Sequence, residues 1–570
     1  MTRRDRVKAV LRAAGLDRVI GGVRYAGRLA LNREFRRLES MNAREYANWK
    51  RYRPILEPRL TPTAAPRRAL IVTKGTVTGA KIETALIKGL ELGGFVPVVL
   101  TDRTLAKYFR IAGVRDIVYW DQFLHVEPRV DAERLVAAAH GIDDVQPFTH
   151  GGARVGRFAL STSFRSLRVG RLDFTSADTR RTIVDHLAAG IARAEAAHRI
   201  ADRIRPDLVV FMGNRYTGHA EIIDVCIERG IDVIAWFDGH RSSSLVLKRY
   251  HRSNRDQHHA SLSDATWELM RSMRWTHREQ EALRAELADS YAAGDWYSRG
   301  GTQVNKAIVD RTELRARLNL HPAKPTAVVF PHVIWDATLF WGSDLFDNYE
   351  DWLIETVRAA AANDAVNWII KIHPVHVAKS AMEKISGEAG EIAAISQRVG
   401  ALPPHITLVP PDTDINTYSL FPLMDYCLTV RGTIGIEAAS FGVRVLTAGT
   451  GRYDHRGFTV DSATAAEYLQ RLATLQSMPR MTVAERDLAQ RYAYGAFLLR
   501  PLPLRAIVIS HDRDIEATTR VRVDARTSAE LRRAPDLCAL AAWAAGDDED
   551  FLWMTPEREA AVPLGVAQHA

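Results

Sequence analysis

Cysteine is scarce in this chain. Cys226, Cys427 and Cys538 are its three cysteines in 570 residues, and they lie far apart. That excludes a disulfide framework and any zinc-type Cys spacing, so reduced thiols are expected, with no metal. Long apolar runs are missing as well. No stretch approaches the roughly eighteen uninterrupted apolar residues of a membrane-spanning helix. The N-terminus is broken by Lys8, Arg12, Asp17 and Arg18 where a secretory signal would be continuous, so a cytoplasmic protein is expected. The turn Lys74-Gly75-Thr76-Val77-Thr78-Gly79-Ala80 has too few glycines for a phosphate loop or a dinucleotide fingerprint, and no Lys-Ser or Lys-Thr follows it. Internal repeats and low-complexity tracts are lacking too.

Acidic residues are short only at one end. Residues 1–60 hold sixteen Lys/Arg against six Asp/Glu, more than the whole net charge of +9, so the remaining body is close to neutral. With Val7, Val10, Leu11, Leu16, Val19 and Ile20 interleaved, this segment reads as amphipathic helix that rests on an anionic membrane surface, a partner or the first domain. No aromatic-basic pattern follows it, and no nucleic acid is expected as a partner.

What is present is an ordinary globular composition, 46% hydrophobic and 25% charged, in a chain long enough for two domains. A βαβ opening runs from the strand at Arg68-Ala69-Leu70-Ile71-Val72-Thr73 through a helix Lys81 to Leu92 and a strand Val96 to Leu100. A second unit runs from Pro206 to Met212, through a helix to Arg229, and into the strand Val233 to Phe237, which ends in Asp238-Gly239-His240. Residues 261–324 read as a helical bridge. A second βα domain is expected over 325–490, with strands near Ala327, Trp368, Ile406, Tyr426 and Val445. Residues 491–570 form a tail, with a strand-like run at Ala506 to Ser510 and an Ala-rich helix around Leu540, that packs back on the body. The fold class is therefore α/β: two Rossmann-like βα domains, over 65–260 and 325–490, facing a cleft.

The chemistry concentrates at strand ends. The strand Tyr426 to Val430 stops at Arg431-Gly432-Thr433, so the N–H groups opening the next helix point into the crevice beyond the strand, a place for an anion. Glu437 lies one helical turn after Thr433 on the same face, which places a hydroxyl and a carboxylate together, suited to a phosphate and a sugar diol. Upstream, Asn367-Trp368-Ile369-Ile370-Lys371-Ile372-His373-Pro374 is a strand stopped by proline, which puts Lys371 and His373 at its end. Ala327-Val328-Val329-Phe330-Pro331-His332 ends likewise, followed by Asp336, with Trp335, Phe340 and Trp341 placed to stack on a base or to fill core. In a parallel sheet these ends share one edge, where ligands bind.

These residues carry a resemblance. His373-Pro374-Val375-His376 after Trp368 to Ile372, then the run from Arg431 to Gly449, Tyr453 and Gly457-Phe458-Thr459, resemble the bacterial capsule polysaccharide biosynthesis family of GT-B glycosyltransferases, which includes transferases of the acidic sugar Kdo. The match covers roughly Pro331 to Thr459 and is weaker at Gly213, Tyr216 and Asp238. The resemblance implies a nucleotide-sugar donor and a surface-glycan or lipid-linked acceptor. It gives His373 the donor phosphate, and Thr433 and Glu437 the phosphate and ribose, although Arg431-Gly432 stands where a serine pair is common. It also implies transfer without a metal or other cofactor. His332, Asp336 and Lys371 join the donor-binding set. Asp238 is the preferred acceptor-side carboxylate, with Glu221 and His219 competing, to act with His373 in catalysis. Two other functions fit the same pattern: a polyol-phosphate transferase similar to the teichoic acid glycerophosphotransferases, and a non-catalytic scaffold of a capsule export complex.

Overall fold

The computed structural model describes residues 33–553 apart from 61–66, 125–128, 214, 295, 298–302, 378–387 and 513–517. Most of the basic N-terminal segment, residues 1–32, and the end of the tail therefore lie outside the described residues. No described helix is long and apolar enough to cross a membrane.

Two separate sheets form. The first contains β1 (Arg67–Val72), β2 (Phe95–Thr101), β3 (Asp116–Tyr119), β4 (Leu208–Met212), β5 (Asp232–Asp238) and β6 (Ser244–Tyr250). The second contains β7 (Thr326–Val329), β8 (Asn367–Lys371), β9 (Ile406–Val409), β10 (Tyr426–Thr429), β11 (Arg444–Thr447) and β12 (Thr459–Asp461). A late strand, β13 (Leu502–Pro503), returns to the first sheet, and β14 (Ile507–Asp512) pairs with β15 (Thr518–Val523) as a separate hairpin. The strand orders are β13-β6-β5-β4-β1-β2-β3 and β12-β11-β10-β7-β8-β9. The second sheet is wholly parallel; in the first, only β6 runs against its neighbours.

Both sheets share one winding rule. The chain enters at β1 or β7, moves outward through two strands, then returns so that β4 lies beside β1 and β10 beside β7. Such a reversal leaves a crevice at the carboxyl ends of the two central strands. Helices cover both faces of each sheet, so strands such as β8, β10 and β11 are buried throughout, with apolar residues at their centres and polar ones at their ends.

The two Rossmann-like sheets expected from the sequence are thus present, and the five strands expected in the second sheet are β7 to β11. β3, β6, β12, β13 and β15 were not legible. β6 escaped because it carries Lys248 and Arg249, yet is buried along its length. Both charges are met: Lys248 pairs with Asp550 of the C-terminal segment at 3.0 Å, and Arg249 pairs with Asp232 of β5 at 2.5 Å while donating to the Gly546 carbonyl at 2.7 Å. The helix expected from Lys81 begins earlier, at Val77, because the Thr76 hydroxyl accepts from the Gly79 N–H at 3.0 Å and caps it. Against this helix lies Pro535–Ala545, and Gly89 is required there because Leu540 occupies the space a Cβ would need.

The helices of the expected bridge, Asp264–Ser272 and His277–Ala292, pack on helix Val483–Tyr494 within the core of the second sheet. The two halves interlock elsewhere. The loop after β7 carries Leu339, Phe340 and Trp341 into the core of the first sheet. Phe340 lies edge-on to Tyr216, and Arg215 sits between Trp341 and Tyr250, 4.9 and 5.0 Å from the ring centres. Ala337 and Leu339 adopt left-handed backbone (φ 57 and 64) to make this crossing.

Candidate active site

The winding reversal of the second sheet brings the ends of β7 and β10 together. The Arg431 N–H donates to His332 Nε2 at 3.3 Å, and the His332 ring stacks on Tyr349 with centroids 4.6 Å apart. Burial, reinforced by Arg431, His373 and Arg452, pushes the His332 imidazole down to about 3, so it is a neutral acceptor. Arg431 is itself buried. Its guanidinium holds the carbonyls of Thr450 at 2.9 Å and Ser343 at 3.1 Å, the Tyr349 hydroxyl at 3.3 Å, and an ion pair with Asp344. The residue standing where a serine pair is common is therefore a clamp on the loop after β7.

Around this junction lies a cavity of about 590 Å³. The end of β8 supplies Lys371 and His373, and the helix Thr433–Ser440 presents its first turn, with Gly432 as a cap that uses no side chain. Gly435 in that turn lets the Tyr453 hydroxyl approach and donate to the Gly432 carbonyl at 2.8 Å, which a Cβ would block. Asp238, at the end of β5, and His258 reach the cavity from the first sheet, with Trp341 and Ala337 of the crossing loop between them. A larger cavity of about 950 Å³ lies on the far side of that loop, lined in part by Arg157, Asp256 and Asp344. It contains none of the sequence-predicted site residues.

Six of the eight expected site residues line the smaller cavity: Asp238, His332, Lys371, His373, Thr433 and Glu437. His373 is exposed, and its Nδ1 accepts from the Val375 N–H at 3.1 Å, so the neutral ring carries its proton on Nε2. The Thr433 hydroxyl lies beside the Tyr297 hydroxyl. Glu437 is 2% exposed and already held by hydrogen bonds from the Tyr291 hydroxyl and Trp296. Burial pushes its carboxyl up to about 7 against those hydrogen bonds, so near neutrality it takes or gives a proton readily.

The other two lie elsewhere. Asp336 accepts from Tyr216 at 2.6 Å and from Arg165 at 2.7 Å, a tie between the halves rather than a cavity wall. Glu221 is fully buried under the first sheet's helices, where it accepts from the Gly218 N–H at 2.9 Å. Its competitor His219 is edge-on to Trp120, and burial pushes it down to about 4. Of the aromatics after β7, Phe340 fills core, Trp335 joins Val333 and Ile334 in a small cluster, and Trp341 does both, packing in the core while lining the cavity.

Sequence reasoning missed Arg452, Tyr291, Trp296, Tyr297 and His258, which also line the cavity. Arg452 had a signal, since it follows β11 in a glycine-rich turn at the same sheet edge. The others arrive from the helices before β7 and from the loop after β6, whose approach depends on tertiary packing.

Comparison with known proteins adds three findings. Residues 276–493 match the family model described as capsule polysaccharide biosynthesis protein. No curated protein sequence matches the chain. Among solved structures, the beta Kdo 2,4 transferase of Thermosulfurimonas dismutans KpsC is 15% identical, covering 57% of this chain and 87% of that one, with a TM-score of 0.33. The beta Kdo 2,7 transferase of the same protein is 14% identical over 60% and 88%, TM-score 0.32. UDP-GlcNAc 2-epimerase from Neisseria meningitidis bound to UDP-GlcNAc is 11% identical over 75% and 97%, TM-score 0.26. Likenesses this distant fix neither donor nor acceptor.

Proposed function

We propose that the chain, whose residues 276–493 match the family model described as capsule polysaccharide biosynthesis protein, transfers a sugar, an acidic one such as Kdo, from a nucleotide-activated donor to a capsular or other cell-surface polysaccharide. The observation that carries this reading is the 590 Å³ cavity, in which the helix start at Thr433, His373 and Lys371 meet at one sheet edge while Asp238 faces them from the other sheet.

Glycosyl transfer has two demands. Charge building up on the departing phosphate must be neutralised, and the acceptor hydroxyl must lose its proton. In this reading the phosphate lies against the N–H groups of the helix start, which carry partial positive charge. The exposed His373 stabilises or protonates the leaving nucleotide. Asp238 takes the acceptor proton. Trp341 and the Tyr291–Trp296–Tyr297 group give a base or sugar ring an aromatic surface, and Glu437 hydrogen-bonds a diol by exchanging with Tyr291 or Trp296. With phosphate charge met by side chains and N–H groups, transfer proceeds without a metal and continues in EDTA. The basic residues 1–60 hold the enzyme peripherally on the inner face of the membrane, near a glycan or lipid-linked acceptor.

Thermal-shift measurement against CMP, CDP, UDP and GDP tests the donor site. A bound nucleotide at about a hundred times its dissociation constant stabilises the native state by about 2.7 kcal/mol. No shift with any of them would overturn the reading.

A further inference from the structure

Four lysines are buried among the described residues: Lys81, Lys88, Lys248 and Lys371. Three have a carboxylate beside the ammonium, respectively Glu45, Glu91 at 2.9 Å and Asp550 at 3.0 Å. Lys371 differs. It is 2% exposed at the end of β8, and its Nζ donates to the Ile372 carbonyl at 3.0 Å, with no carboxylate among the described residues in ion-pair contact. Lys306 repels it, and Asp412 attracts it without pairing. Lys306 is itself occupied by the carbonyls of Pro411 and Thr413, at 3.2 and 2.6 Å.

A buried ammonium with a single neutral acceptor is heavily penalised, and folds normally pair such a charge or replace it with an apolar side chain. Lys371 lies on the cavity wall, so the missing partner has an entry path. Of the other cationic groups there, Arg431 is clamped as described, Arg452 donates to the Arg431 carbonyl at 3.1 Å while its Nε has no hydrogen-bond partner among the described residues, His332 is neutral, and the exposed His373 is assigned above to the leaving phosphate.

We propose that Lys371 receives a second anionic group of the ligand, a carboxylate or a phosphate beyond the one held where helix Thr433–Ser440 begins. The proposal rests on the donor-site reading above and adds to it a requirement that the donor carry two anionic groups. Burial lowers the ammonium to about 7, and an arriving anion restores the proton.

The test compares wild type with Lys371→Met, which keeps the length and apolar stem of the side chain. Binding is measured for UMP and UDP, which differ by one phosphate, for UDP-glucose and UDP-glucuronate, which differ by one carboxylate, and for CMP and CDP. The unliganded variant is expected to melt no lower than wild type, because an uncompensated charge has been removed. If Lys371 takes a phosphate, the preference for diphosphate over monophosphate falls by about thirtyfold or more; if it takes a carboxylate, the preference for UDP-glucuronate over UDP-glucose falls by a similar factor. Unchanged preferences, or a uniform loss of affinity accompanied by a lower melting temperature, overturn the proposal and return Lys371 to a packing role. Failure of wild type to bind any of the six nucleotides overturns the donor-site reading itself.

Discussion

Replacing Glu221 with Gln separates a structural carboxyl from a catalytic one. Glu221 has no exposed surface; one carboxyl oxygen accepts from Gly218 at 2.9 Å, and the other has no hydrogen-bond partner among the described residues. Burial pushes it up to about 8 from its ordinary 4.5. The unfolded chain therefore gives up this proton near pH 4.5 and the folded chain near pH 8. The folded state is favoured by the protonated carboxyl below the lower value, and that contribution is lost as pH rises to the upper one. At about 1.4 kcal/mol per pH unit, the full span is on the order of 5 kcal/mol. Gln keeps the acceptor for Gly218 and cannot ionise, while its unpaired amide costs about 1 kcal/mol at every pH. Glu221→Gln is thus expected to be slightly less stable than wild type at pH 5 and more stable at pH 9. Urea denaturation followed by circular dichroism at pH 5, 7 and 9 reads the difference directly. Parallel pH profiles for the two proteins would refute the burial argument. Transfer activity supplies an independent check: a buried structural acid leaves turnover largely intact in the Gln variant, whereas an acceptor-side base does not.

Three further outcomes are expected. His373→Ala should lower turnover on the order of a hundredfold to a thousandfold with little change in stability, because the ring is exposed in the cavity; the idea is falsified if the variant retains full transfer or mainly unfolds. Asp336→Ala removes the carboxylate that ties Tyr216 and Arg165 to the loop after β7, and should cost about 1–3 kcal/mol of stability while nucleotide affinity, read by calorimetry, changes less than it does in Glu437→Ala. Deleting residues 1–32, which spares the core residue Trp49 and the Glu45 partner of Lys81, should abolish sedimentation with anionic liposomes, leave nucleotide binding in place, and remove a lipid association that weakens with salt; no sedimentation of the intact protein counts against membrane docking.

Much of this protein was settled by local order in its sequence. Apolar runs ending at proline, glycine or a small-residue turn located β7, β8 and β10, and with them His332, His373 and Thr433, because a buried parallel strand must be apolar and must stop where its polar loop begins. One helical turn between Thr433 and Glu437 placed both on the cavity. Tertiary packing decided the rest. The same strand-end rule named Asp336 and Glu221, yet one became a tie between halves and the other a buried helix-start acid, since a loop's path after its strand depends on what it meets. β6 was hidden because it carries Lys248, neutralised by Asp550 about 300 positions away, and Arg249, paired with Asp232 of the neighbouring strand. Lys371 was visible as a residue, but its lack of a carboxylate partner among the described residues was not: a missing counter-charge is a property of everything that folds around a group, and no window of sequence contains it.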